Sequence, residues 1–342
     1  MAGVNDLELG SAYFVQNHGQ KGFGTYDVSD EELHPAHKVE KPHYALTETQ
    51  YYGFWVPEAN LHCFSWIWAH PNLKSVTAGT MAWTGIRKNS LACELFNFHT
   101  HMSMDVFRDG FFNADFDNGF SVHAEEAGKR FRIKYDDPGR GNSFDVLQVA
   151  ASEPLMWPTS NHFEQVMKCT GEVTLRGKRY EVDCYSMRDR SWGEYRLEDQ
   201  MGIPPNHWTV GTADGDNAFC IVGMEDEARN PMWKGRFTVP GTSTLRFGWL
   251  LVDGQKCRAT TLSSLVTYDP DDLMPRTVSM HVEDEHGRRH EIEGRVIAAT
   301  PIHAWLNIAC AINLIEWNWR GRTFTGEMQT VMFNDFIHAF SR

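Results

Sequence analysis

The sequence predicts an all-β protein, and three observations support that fold class. Apolar and polar residues alternate with a period of two in short segments that recur from Gln50 to Met332, as in strands that bury one face. Trp, Phe and Tyr make up 13% of the 342 residues, and these residue types favour strands. No long segment shows the 3.6-residue period of an amphipathic helix.

The first part of the chain contains a series of short predicted strands separated by Asn, Gly and Pro residues. Residues 1–45 are polar and rich in histidine, and we expect an irregular lead-in there. Regular spacing of short strands after that lead-in is typical of a β-sandwich or an open barrel. The predicted strands span residues 50–56, 61–70, 75–84, 91–104, 111–116, 120–124 and 130–135.

A break in this pattern at residues 152–160 separates two β-rich regions. The segment contains Pro154 and Pro158, and proline is disfavoured inside a strand. We therefore expect an N-terminal β domain over residues 46–155 and a C-terminal β domain over residues 156–342. The second region has predicted strands at residues 162–169, 171–176, 179–185, 207–213, 217–224, 245–252, 255–261, 277–284, 288–297, 312–319 and 323–332.

His162 and Glu164 are the first candidate catalytic residues. They precede a clear hairpin pattern, in which residues 171–175 and 179–185 alternate on either side of a turn at Gly177. Side chains two positions apart on a strand share a face, so an imidazole and a carboxyl group should lie together. Desolvation among aromatic side chains raises a carboxyl pKa, which suits proton transfer near neutral pH. The alternative is a solvated pair on a surface strand.

Asp189 and Trp192 follow the same hairpin and are predicted to join this cluster. Trp192 would provide an apolar wall, or stabilise a developing carbocation through the face of its ring. Asp189 stands between Arg188 and Arg190, so it is a candidate acid or base. A structural ion pair that fixes the bend after the strand is the alternative, and both roles are compatible.

The residues around this cluster resemble a known family. The pattern His162-Phe163-Glu164-Gln165, the hairpin, and residues 188–193 (Arg-Asp-Arg-Ser-Trp-Gly) are similar to the second half of AttH-type, carotenoid hydratase-like proteins. Residues 317–327 are similar to the C-terminal hairpin of that group, and the resemblance spans about residues 50–335. It implies two lipocalin-like β-barrel or sandwich domains in tandem. Members of the group carry out hydration, cyclisation and other reactions.

Three further residues of the second region are candidates for the site. Glu327 is expected on one face of the last hairpin, where it would be catalytic or simply solvated. Trp317, on the partner strand, is predicted to shape a pocket. Trp208 is a candidate substrate contact, although an aromatic residue on a strand is more often part of the core.

His99 and His101 form an HxH pattern on a predicted strand. Two histidines that share a face are a spacing used by metal ligands, but no third ligand stands at a matching distance. We predict that the chain uses no metal and no cofactor, with these histidines as candidate substrate contacts. A metal-dependent enzyme that uses both of them is a weaker alternative.

Composition and motifs exclude several classes of protein. The formal net charge of -13 disfavours nucleic acid and anionic membrane as partners. Seven irregularly spaced cysteines without a CxxC pair indicate reduced thiols, and residues 1–10 do not resemble a signal peptide. We expect a soluble, cytoplasmic protein and leave its oligomeric state open, a homodimer included. No GxSxG, Walker or dinucleotide-binding pattern occurs.

The sequence supports two functional hypotheses. The first is a cofactor-independent lyase or isomerase: a hydratase, dehydratase, cyclase or carbon–carbon lyase. It would act by acid–base catalysis on a bulky apolar molecule such as a terpenoid, steroid, polyketide or lignin-type aromatic compound, with Glu164 or Asp189 transferring the proton and His162 orienting it. The second is a non-catalytic carrier of an apolar ligand, which lipocalin-like cavities also allow.

Overall fold

A computed structural model describes residues 24–25, 46–108, 111, 113–157, 162–195, 205–234, 244–305 and 308–333. The chain divides into two compact units. Within the described residues, the first unit contains residues 24–25, 46–83 and 93–195, and the second contains residues 84–92 and 205–333. Both units are built from antiparallel strands, which confirms the all-β fold class.

The first unit is one sheet of twelve strands. Its strand order is β5-β4-β3-β2-β12-β11-β9-β8-β7-β6, and the short strand β10 joins β1 to β11. The strands are β1 Gly24–Thr25, β2 Leu46–Val56, β3 Leu61–His70, β4 Ser75–Thr84, β5 Leu95–Ser103, β6 Asn113–Asp115, β7 Phe120–Glu126, β8 Arg130–Asp137, β9 Asn142–Ala150, β10 Leu155–Met156, β11 His162–Leu175 and β12 Lys178–Tyr195.

The connections from β2 to β3 and from β3 to β4 have the same local structure. Short 3-10 helices at Pro57–Ala59 and Pro71–Leu73 each begin with proline, whose fixed φ suits the first helical position and whose missing N–H is not needed there. Each ends on a residue with left-handed backbone, Asn60 with φ 48° and Lys74 with φ 51°. Further 3-10 helices span Ser90–Ala92, Met104–Val106 and Pro231–Trp233.

Strands β10, β11 and β12 complete the first sheet, which corrects the predicted boundary at residue 155. β11 pairs with β9 and β10, and β12 pairs with β2. The two units therefore divide beyond β12, and Pro154 precedes a short strand rather than a new domain. Strand β9, whose residues alternate between buried and partly exposed, was not among the predicted strands.

The second unit is a closed barrel of eight strands in simple up-and-down order. The first barrel strand pairs with the last, so the sheet has no free edge at that seam. The strands are β13 Asn206–Thr212, β14 Ala218–Met224, β15 Leu245–Val252, β16 Gln255–Tyr268, β17 Pro275–Asp284, β18 Arg289–Trp305, β19 Ile308–Trp319 and β20 Arg322–Phe333.

Aromatic rings fill one end of the barrel interior. Phe219, at the start of β14, packs edge-on against Trp317 and Trp319, with ring centroids 5.4 and 5.7 Å apart. The ring of Phe324 also packs against Phe219, with ring centroids 6.3 Å apart. Small residues make room for these rings: a Cβ atom on Gly326 would lie 2.1 Å from the carbonyl oxygen of Val210.

Gly326→Ala is therefore expected to destabilise the barrel seam. The added methyl group would force β20 away from the backbone of β13, and overpacking of this kind costs about 1–3 kcal/mol. Thermal melting should show a lower Tm than wild type. Gly139→Ala is the matched control, since a Cβ there meets only Asp137 Oδ1 at 3.5 Å; equal Tm values for the two variants would contradict this close packing.

A buried carboxylate, Asp284, closes the same end of the barrel. Burial raises its pKa, but hydrogen bonds from His290, Arg288 and two backbone N–H groups outweigh that effect, so the pKa lies well below its usual range. Asp284 Oδ2 is 3.0 Å from His290 Nε2 and 2.6 Å from Arg288 Nε. The ionised form of Asp284 is thus favoured by folding.

The stability that Asp284 contributes should decrease in acid. Because folding lowers its pKa, the contribution is complete above the unfolded pKa of about 3.9 and is lost as pH falls through the folded value. The difference in unfolding free energy between wild type and Asp284→Asn should stay constant from neutral pH down to about pH 4 and shrink below it. Denaturant titrations across that range measure it, and a difference that grows in acid would refute this role.

Among the described residues, no helix is long and apolar enough to cross a membrane. All seven cysteines are buried, and none of them forms a disulfide.

Candidate functional site

The predicted acid–base pair lies on one face of the first sheet. In the β11–β12 ladder, His162 is opposite Ser191 and Glu164 is opposite Asp189. Directly opposite residues project to the same side of an antiparallel sheet, so four polar side chains share this face. The strand alternation expected for His162 and Glu164 is present.

The carboxyl group of Glu164 is fully buried, and the described residues Trp157 and His162 contact it. Trp157 Nε1 donates to both carboxyl oxygens, at 2.7 Å each. His162 Nε2 lies 3.0 Å from Glu164 Oε1. A carboxyl group removed from water with a histidine in contact is an arrangement in which a proton can be stored and transferred.

Trp157 reaches this site through the short strand β10. Leu155 pairs with Glu164, and the backbone N–H of Trp157 donates to the carbonyl of His162 at 2.9 Å. The indole ring then lies edge-on to the imidazole, with centroids 4.4 Å apart. Sequence reasoning missed Trp157 because its segment, next to two prolines, was interpreted as a domain crossing.

Asp189 and Trp192 occupy different sides of the sheet. Asp189, half-buried, faces the same side as Glu164, which places two carboxyl groups on adjacent strands. Trp192 packs on the other side, contrary to the prediction: its ring contacts Phe163, with centroids 6.1 Å apart, and Phe163 projects from β11 on the side opposite Glu164. The aromatic neighbour of the carboxyl group is Trp157 instead.

The opposite side of the same strands carries a buried basic cluster. Arg188 Nε donates to Gln165 Oε1 at 2.8 Å, and Arg190 Nη2 donates to Glu48 Oε2 at 3.2 Å. Burial lowers the pKa of Arg188 to about 10. The guanidinium of Arg188 also stacks 4.4 Å from the ring centroid of Phe131. These contacts anchor β12 through the face of the sheet opposite Glu164. They thereby help to position Asp189 on the face that carries Glu164.

The remaining candidates of the second region belong to the barrel. Glu327 is fully buried, and Gln329 Nε2 donates to its Oε1 at 2.7 Å. Trp317 lies in the barrel interior and donates from Nε1 to the carbonyl of Val210 at 3.0 Å. Glu327 projects from the other side of the barrel wall, since it pairs with Leu314 whereas Trp317 pairs with Phe324. Trp208, buried, pairs with Gln329.

His99 and His101 are exposed on β5. His101 has a left-handed backbone with φ 59°, so the regular alternation of the strand is interrupted there. Across the described part of the chain, no three His, Cys, Asp or Glu side chains gather closely enough to hold a metal ion. The HxH pattern therefore gains no third ligand from the described residues.

A family model matches residues 27–332 of the chain, and its description is "Domain of unknown function (DUF7064)". The chain belongs to this family. No curated protein sequence matches it. The family match extends over both β units and includes all of the residues of the Glu164 cluster.

Solved structures with a similar fold come from distant sequences. Kievitone hydratase from Nectria haematococca has a TM-score of 0.54 at 10% identity, covering 92% of this chain and 94% of that one. A putative AttH from Nitrosomonas europaea has a TM-score of 0.55 at 12% identity, covering 84% and 92%. CghA with Sch210972 has a TM-score of 0.50 at 12% identity, covering 84% and 88%. These similarities confirm the lipocalin-like β fold expected from the sequence resemblance.

Proposed function

We propose that this DUF7064 protein is a cofactor-independent lyase or isomerase that acts on a bulky apolar small molecule by acid–base catalysis. The observation that carries the proposal is the buried carboxyl group of Glu164, held between the indole N–H of Trp157 and the imidazole of His162. A buried carboxyl group with a histidine neighbour costs stability unless it is well bonded, and such groups concentrate at functional sites.

Each residue of the cluster has a distinct proposed role. Glu164 gives a proton to the substrate or takes one from it. His162, 3.0 Å from Glu164 Oε1, orients that carboxyl group and relays its proton. Asp189 supplies a second carboxyl group across the strand pair, so that one acid and one base are available on the same face. Addition or removal of water, cyclisation and cleavage next to a hydroxyl group all need these two roles.

The similarity in fold suggests which reaction to test first. One similar structure is named a hydratase, and a hydration or dehydration is therefore the first reaction to test. The proposed substrate classes are terpenoids, steroids, polyketides and lignin-type aromatic compounds, whose apolar bodies suit an aromatic-rich β protein.

The test is a reaction screen in isotopically labelled water. Purified protein is incubated in H2 18O with alkenes and with tertiary or benzylic alcohols of these four skeletons, and products are identified by mass spectrometry. We expect one product that has gained or lost one molecule of water, or an isomer of unchanged mass. Glu164→Gln should form product at least about 100-fold more slowly, while Glu172→Gln, an exposed site on the same strand, should behave as wild type.

Two outcomes would overturn the proposal. If a compound binds tightly and no product forms, the protein is a carrier of apolar ligands. If a product forms equally well with Glu164→Gln, then another group performs the proton transfer and the cluster is structural.

A further inference from the structure

Another histidine–carboxylate cluster lies inside the closed barrel, at the end opposite Phe219, Trp317 and Trp319. His207 Nε2 is 2.7 Å from Glu225 Oε1 and 3.2 Å from the hydroxyl of Tyr268. Tyr268 also donates to Glu225 Oε1. His207 is 4% exposed and Glu225 is fully buried. The three residues come from the start of β13, the end of β14 and the end of β16, which meet at one end of the barrel.

The surrounding contacts hold Glu225 in place as an acceptor. Asn230 Nδ2 lies 3.4 Å from Glu225 Oε2 and donates to the carbonyl of Val266 at 2.9 Å. Burial raises the pKa of Tyr268 well above 10, and the Glu225 carboxylate acts in the same direction, so the Tyr268 hydroxyl keeps its proton and donates it. Trp233 covers this end, its ring edge-on to Tyr268 at 5.4 Å.

The other nitrogen of His207 is buried beside a cavity that the residue lines. Nδ1 has no hydrogen-bond partner among the described residues. The cavity leaves about 10 Å³ for the centre of a water molecule. Its walls are mainly apolar, formed by residues such as Ile221, Leu262 and Met280.

The tautomer of His207 decides what Nδ1 offers. When Nε2–H donates to Glu225, a neutral imidazole presents a lone pair at Nδ1. A buried acceptor without a partner costs about 1–3 kcal/mol, and the cost disappears if a donor enters the cavity. The space is about that of one water molecule, and a larger guest would have to displace flexible side chains such as Met280.

We propose that this end of the barrel is a second binding site, in which His207 Nδ1 accepts a hydrogen bond from an O–H group enclosed by apolar side chains. The O–H belongs either to a single internal water molecule or to the hydroxyl of a small alcohol or phenol. The site is separate from the Glu164 cluster and does not depend on the function proposed for it.

The barrel offers a matched pair of variants for the test. In His207→Gln, the side-chain amide can still donate to Glu225, but the acceptor at the Nδ1 position is lost. His290→Gln makes the same change at the other end of the barrel, where His290 Nε2 is 3.0 Å from Asp284 Oδ2 and does not line this cavity. Both variants are expected to keep a hydrogen bond to the neighbouring carboxylate.

Phenol and toluene are the probes, because they have similar shapes and only phenol carries a hydroxyl group. Affinities are measured by NMR titration on wild type and both variants. If an organic hydroxyl is the ligand, phenol should bind wild type and His290→Gln equally, and His207→Gln about tenfold more weakly. Toluene should not distinguish the three proteins.

A crystal structure at high resolution tests the water alternative. If phenol does not bind wild type, an ordered water should lie within hydrogen-bond distance of His207 Nδ1 and be absent in His207→Gln. The proposal is wrong if phenol does not distinguish the variants and no water contacts Nδ1.

Discussion

Glu164→Gln is expected to lower turnover by about 100-fold to 10,000-fold, the usual contribution of general acid–base catalysis. Glutamine is nearly isosteric with glutamate but cannot transfer the proton. Its amide oxygen still accepts from Trp157 Nε1, which lies 2.7 Å away in the wild type, so the fold should be retained. Rates on the substrate found in the labelled-water screen, together with the Tm, measure both effects.

The pattern of loss separates catalysis from structure. Glu164→Gln should reduce kcat with little change in KM, because the proton is needed in the transition state rather than for binding. Glu172→Gln removes a carboxylate from the same strand at an exposed position and should leave kcat unchanged. A fall in Tm that accounts for the lost rate would assign Glu164 a structural role.

Glu48→Leu is expected to lower the free energy of unfolding by about 3–5 kcal/mol, because it removes a buried carboxylate that pairs with the buried guanidinium of Arg190. Both side chains are completely buried and their ion pair is 3.2 Å long. Denaturant unfolding monitored by tryptophan fluorescence would measure the loss. The exposed pair of Lys129 and Glu126 gives the contrast: Glu126→Leu should change stability by no more than about 1 kcal/mol.

A double variant tests the cause of that loss. Arg190 stacks 4.8 Å from the ring centroid of Phe111 and 5.5 Å from that of Trp192, and methionine can keep this packing without the charge. Glu48→Leu combined with Arg190→Met should therefore be more stable than Glu48→Leu alone. If the double variant is less stable than the single one, packing by the guanidinium outweighs the cost of burying its charge without Glu48.

The sequence is most predictive where structure is local. Alternation places the ends of several strands correctly, such as Leu61–His70 and Leu245–Val252, and the turn at Gly177 fixes the β11–β12 hairpin. Strand alternation alone assigns His162 and Glu164 to one face, and the structure adds that they pair with Ser191 and Asp189. The roles of these residues and of Glu327 in a reaction stay predictions.

What the sequence does not reveal depends on contacts between distant segments. Trp157 joins Glu164 only because β10 adds to β11, and two flanking prolines conceal that short strand. The sequence places His207 at the start of a predicted strand, residues 207–213, but its partners Glu225 and Tyr268 come from other parts of the chain, and no local pattern shows that they meet. The same reasoning explains the misplaced boundary, since nothing near residue 155 shows that β12 pairs with β2.

The seam between β13 and β20 also has a consequence for the order of events during synthesis. Val210 pairs with Glu327, so the first barrel strand has to pair with the last of the eight barrel strands to be synthesised. Pairing between such distant segments is slow to form because a long loop must close first. Until then β13 presents an unpaired edge, which can recruit strands of other chains. The nascent barrel is thus most exposed to aggregation just before its last strand emerges, and chaperones that bind extended apolar segments would act in that interval.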